Sequence, residues 1–174
     1  MKRIISILML GILFFGVVPP ASAQSNALRS FSKKYRILNG VKNFRVGGWL
    51  IRLGMGAVDQ PLAESLRPIA NSLDMVRILV FDEKVKPTAE DIKTLVAGLR
   101  TEKFEDLMNI RDGKSRVNMM IRTNKSGTKI YDMVIIVKDG DDGEAVVLGI
   151  EGEFKMADIQ KMMEKGELTF NMKQ

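Results

Sequence analysis

The chain has 174 residues, 45% hydrophobic and 28% charged, with 27 Lys and Arg against 21 Asp and Glu and neither Cys nor His. That length and apolar content fit one globular domain rather than two domains or a disordered tail. The missing residue types exclude disulfides, Cys/His zinc sites, Ser/His/Asp triads and Cys/His dyads.

Met1-Lys2-Arg3 precedes an apolar run from Ile4 to Val18, and Pro19-Pro20-Ala21-Ser22-Ala23 follows with small residues in an A-x-A arrangement. This reads as a signal peptide, because the run is shorter than the roughly 18 residues of a membrane span and ends at a processing signature. Cleavage after Ala23 leaves 151 residues from Gln24 and lowers the net charge from +6 to +4. The expected location is periplasmic or peripheral to the cell envelope. Without Cys there is no lipid-modified terminus and no disulfide staple, so the core itself must stabilise an exported fold.

From Gln24 to Gly56 the chain carries Arg29, Lys33, Lys34, Arg36, Lys42, Arg45 and Arg52 and no Asp or Glu, whereas the remainder sums to −3. Leu28, Phe31, Tyr35 and Leu38 recur at helical spacing, and Asn39-Gly40 can end that helix. Phe44 to Leu53 reads as a strand weakened by Gly47 and Gly48, with a helix starting near Trp49 as the alternative. Asp59 can cap a helix with Leu62, Leu66, Ile69, Ala70 and Leu73 on one stripe, interrupted at Pro68.

Met75 to Phe81 is a short apolar run broken only by Arg77, as expected of an interior strand. Thr88 and Asp91 then form a capping-box pattern for a helix whose face carries Ile92, Leu95, Val96 and Leu99. Gly98 costs that helix about 1 kcal/mol relative to Ala if it is interior. Phe104 to Ile110 suggests an edge strand. Val117, Met119 and Ile121 alternate with polar residues, Ile130 to Val137 is apolar on both faces except at Asp132, and Val146, Leu148 and Ile150 form a return strand. Met156, Ile159 and Met162 or Met163 line a last helix, closed by Gly166.

The basic, aromatic segment is the leading binding surface: Arg29, Lys33, Lys34, Arg36, Tyr35, Arg45, Trp49 and Arg52. Rings among cations can stack on bases, but export argues against nucleic acid and favours an anionic membrane surface or an envelope protein. The alternative is a surface helix whose charges are merely solvated.

Asp139, Asp141, Asp142 and Glu144 offer oxygen ligands to a cation, yet lack the alternation and distant bidentate Glu of an EF-hand, and Asp-Gly pairs are ordinary turn formers. Asp82 and Glu83 follow an interior strand, near which Arg77 and Tyr131 can stand, but adjacent residues point to opposite faces. The methionines suit either adaptable core packing or a deformable groove for a lipid or another apolar small molecule. Neither phosphate-loop nor dinucleotide spacing occurs, and no cofactor is implied.

The order Phe31 to Tyr35 (Phe-x-Lys-Lys-Tyr), Val76-Arg77-Ile78-Leu79, Phe104 to Met108, Arg111 to Val117, Ile121-Arg122, the Asp141-Asp142 turn and the Leu148 to Ile159 run resembles the domain-of-unknown-function family DUF4252. The resemblance spans Leu28 to Met163 and implies an α+β domain of a small exported Bacteroidetes protein. Members are often lipoproteins, a feature this Cys-free chain lacks. It implies no activity for any residue.

The expected fold is α+β: one domain with a mixed, largely antiparallel sheet of five or six strands packed against about three helices, those at Asp59, Thr88 and the carboxyl end. The expected function is a non-catalytic envelope binding or interaction module, with self-association at a strand edge as a further route. A carrier of an apolar ligand is the alternative, and a hydrolase independent of His and Cys comes third.

Overall fold

The computed structural model describes residues 25–57, 67–82, 84–140 and 144–164. The leader and its cleavage point, Asp59 and the first half of its helix, Glu83, Asp141, Asp142 and the tail beyond Glu164 lie outside these residues, as do the side chains of Met162 and Met163.

The elements in chain order are α1 (Asn26–Tyr35), β1 (Val41–Gly47), α2 (Gly48–Gly54), a 3₁₀ turn (Met55–Ala57), a helical stretch at 67–72, β2 (Leu73–Phe81), α3 (Ala89–Thr101), β3 (Phe104–Asp112), β4 (Ser115–Thr123), β5 (Lys129–Lys138), β6 (Ala145–Lys155) and α4 (Met156–Glu164). The strands form one sheet in the order β1-β2-β6-β5-β4-β3, and every pairing is antiparallel, so the α+β sheet is not mixed. Successive hairpins connect β3 through β6, while α3 carries the chain from β2 to the far edge.

Both faces of the sheet are covered. On one, Leu28, Phe31 and Tyr35 of α1 and Leu95 and Leu99 of α3 pack on Leu79, Phe81, Met120, Val134 and Val147. On the other, Leu73 and Ile159 pack on Val117, Met119, Met133, Ile135 and Phe154, with Ile51 and Ile69 at the margin. The helices therefore divide between the two faces. This explains β4, where Val117, Met119 and Ile121 alternate as anticipated yet Met120 is also fully buried, on the opposite side.

Phe44 to Leu53 is not one strand. β1 ends at Gly47, and the alternative start near Trp49 is the one realised, because α2 turns back over the start of β2. Gly48 permits this, since a Cβ there would overlap the Leu73 carbonyl oxygen, to which Arg52 Nη1 also donates at 3.0 Å. α1 stops at Tyr35, before Leu38, and the chain reverses at Gly40 with φ of +99°, a conformation suited to glycine.

α1 and α3 lock together by aromatic packing and one carboxylate. The Tyr35 ring lies 4.9 Å from that of Phe31 and 5.1 Å from that of Phe81. Gly98 has its reason here, for a Cβ would stand 2.8 Å from that of Ala27. The Thr88 hydroxyl accepts from the Asp91 amide at 3.1 Å, as the capping pattern requires. The Asp91 carboxylate does not reach back to the Thr88 amide; it accepts instead from Lys34 Nζ at 2.6 Å, from the Tyr35 hydroxyl and from Thr88 Oγ1. These donors, Lys34 foremost, hold its carboxyl well below the usual carboxylate range. Burial, then the bond to Asp91, pushes the Tyr35 hydroxyl up to about 12.

A depressed folded-state carboxyl confers stability that is present above the ordinary Asp value of about 3.9 and is lost as pH falls below it. Asp91→Asn should lower the melting temperature at neutral pH and flatten its decline below about pH 4, as thermal melts across acid pH would show. Gly48→Ala should destabilise the fold by about 2 kcal/mol despite the better helix propensity of Ala, because backbone must move; urea denaturation measures this.

Candidate functional site

The residues nominated by the sequence fall around the β1 edge of the sheet, on both of its faces. α1 forms because Leu28, Phe31 and Tyr35 share one face and the Ser25 hydroxyl caps its first turn, accepting from the Leu28 amide at 3.1 Å. Its outward side leaves Arg29, Lys33 and Arg36 exposed. Lys34 and Tyr35 are committed to Asp91, and Tyr35 is buried, so both belong to the packing of α1 on α3.

Arg45 and Arg77 stand directly opposite each other on β1 and β2 and share the α1 face. Arg77 is only 8% exposed; its Nη1 donates to the fully buried Ser32 hydroxyl at 3.0 Å, and its Nε has no partner. Burial lowers the pKa of this guanidinium, Arg45 lowers it further, Glu151 opposes the shift, and Arg29 and Arg36 add to it. Among the described residues no carboxylate lies within ion-pairing distance of Arg77; Arg45, Arg29 and Arg36 act on it, opposed by Glu151 from farther off.

On the opposite face, α2 presents apolar surface to solvent. Trp49 is 62%, Leu50 48% and Leu53 69% exposed, and Phe44 of β1 is 51% exposed beside them. Arg52 is drawn back to the Leu73 carbonyl. The β1 edge is therefore apolar on one flank and cationic on the other. Sequence reasoning named the cations and Trp49 but not Leu50 and Leu53, because a strand through Leu53 would have turned alternate residues inward.

The remaining candidates do not assemble. Asp82 Oδ1 accepts from the Lys84 and Val85 amides at 2.9 and 3.0 Å, closing a turn. Among the described residues no hydrogen bond joins Asp82, Arg77 and Tyr131. Asp139 accepts from the Ser115 hydroxyl at 2.7 Å, Glu144 is exposed, and no three carboxylates among the described residues are grouped to hold a metal ion. Met119, Met120 and Met133 fill the core on its two faces rather than line a groove.

A family model described as a domain of unknown function (DUF4252) matches residues 35–162, which take in every strand of the sheet and begin where α1 ends. No curated protein matches the chain. The resemblance carried by the strand and turn order is thus matched over most of the sequence, and the chain belongs to the DUF4252 family.

Proposed function

We propose that this protein is a non-catalytic module of the cell envelope that docks on an anionic lipid surface through its β1 edge. The observation that carries this reading is the exposure of Phe44, Trp49, Leu50 and Leu53 together, beside a segment from Ser25 to Ala57 that holds seven cations and no acid. Apolar side chains at such a surface gain by entering the acyl boundary, Trp suits the interface itself, and cations nearby are attracted to anionic headgroups. Each Lys or Arg near the surface contributes about 1 kcal/mol. Among the described residues no helix is long and apolar enough to cross a membrane, so the association proposed is peripheral.

Trp49 is the chain's single tryptophan, so its emission reports the docking directly. For the chain from Gln24 onward, emission should shift to the blue with phosphatidylglycerol-containing vesicles and not with pure phosphatidylcholine, and the protein should float with the former. Arg45→Ala should weaken binding roughly fivefold, and Leu53→Ser should reduce it at any ionic strength. Unchanged emission and no flotation would overturn the reading; binding to an acidic protein without vesicle binding would replace lipid with a protein partner.

A further inference from the structure

Away from Arg77, toward the β3 edge, the first turns of α3 leave a groove of about 470 Å³ over the ends of β3 to β6. Its walls are aliphatic, formed by Ile92 and Val96 of α3 facing Ile136 and Val147 of the sheet. That size lies within the range of small-ligand sites.

The mouth is cationic by register. Arg111 pairs with Arg116, and Arg116 with Lys138, so three cations stand in one row across three adjacent strands. Partners in register share a face, and the next row inward runs Asn109, Asn118, Ile136, Val147, which places the cations on the face covered by α1 and α3. Lys86 and Lys93 border the groove from the helix side, and among the described residues no carboxylate lines it; Lys86 and Lys138 each have an interaction of their own, which leaves Arg111 and Arg116 as the cations that matter here. Lys93 stands 4.0 Å from Glu90 on the exposed surface of α3. Asp106 accepts from Asn118 at 3.0 Å and is already bonded to Arg100 at 2.8 Å; the Asn118 bond, then that to Arg100, lowers its pKa.

Like charges directly opposite on neighbouring strands destabilise a sheet, and Arg111 and Arg116 have no ion-pair partner among the described residues. A fold that sets cations at the mouth of an aliphatic groove is complementary to one kind of molecule: an apolar chain with an oxyanion head. Guanidinium forks bind carboxylate and phosphate oxygens in pairs.

We propose that this groove binds a single-chain anionic amphiphile, its oxyanion head between Arg111 and Arg116 and its chain between Ile92, Val96, Ile136 and Val147. The site is separate from the β1 edge and does not depend on docking there. A carboxylate or a phosphate satisfies the same chemistry, and the test separates them.

The protein, expressed from the full-length sequence and purified, is titrated by calorimetry with laurate, dodecyl phosphate, dodecanol and inorganic phosphate, each below its micelle threshold. Laurate or dodecyl phosphate should bind at least tenfold more tightly than dodecanol and inorganic phosphate, the tighter of the two identifying the head. Arg111→Ala with Arg116→Ala should abolish that preference while leaving dodecanol binding and vesicle flotation unchanged. Because the pair removes an unfavourable charge row, the double variant without ligand should melt at or above the parent temperature, which guards against misfolding as the cause. Equal affinity for laurate in parent and double variant, equal binding of dodecanol and laurate by the parent, or a lower melting temperature of the double variant would each overturn the proposal.

Discussion

The fold depends on a sheet whose central strand is apolar on both faces. Residues 132–136 of β5 are buried without interruption, so neither face can be left to water, and the helices must divide between them. Burial of this kind is worth about 25 cal/mol per Å² of apolar surface, which makes the core the main source of stability in a chain that holds no disulfide. α1 and α3 serve one face, while α2, the helical stretch at 67–72 and α4 serve the other. The locations of the β1-edge surface and of the groove follow from this division. α3 crosses the sheet and leaves a gap where it begins; α2 is too short to hide its own outer side.

Charge inside this sandwich is handled in two different ways. Asp132 is 3% exposed and pairs with Arg122, whose Nε donates to it at 2.8 Å and whose guanidinium lies over the Phe104 ring. Burial still pushes the Asp132 carboxyl upward, so the ion pair offsets only part of its desolvation. Arg77, by contrast, is buried against a hydroxyl and acted on by three further arginines. In the first arrangement opposite charges are in direct contact. The second leaves positive potential at the surface, which is what an anionic partner would meet.

How much of this the sequence discloses depends on the range of the interaction. α3 was legible because its cap, Thr88 and Asp91, lies within one turn and its apolar residues repeat at helical spacing. β4, β5 and β6 were legible because turns with Gly separate alternating or apolar runs. The break between β1 and α2 was ambiguous because Gly47 and Gly48 suit either a weak strand or a chain reversal, and the choice is made by Leu73, far along the chain. The partners of Asp91 were hidden for the same reason, since Lys34 and Tyr35 lie on another helix. The row Arg111, Arg116, Lys138 was beyond reach without strand register. In the sequence nothing marks these three cations as neighbours, and only the antiparallel pairings align them.

The strand order has a consequence for how the chain folds. β2 finds no strand neighbour on its inner side until β6 arrives, after α3 and β3 to β5 have been made. The β1 and β2 pair therefore lacks a third strand until β6 is made, and a two-stranded ribbon is at best marginally stable in water. Closing so long a loop is slow relative to forming the local hairpins of β3 to β6, so the meander should precede the docking of β2. A chain with this topology should therefore complete the packing of its amino-terminal third last, once β6 lies between β2 and β5.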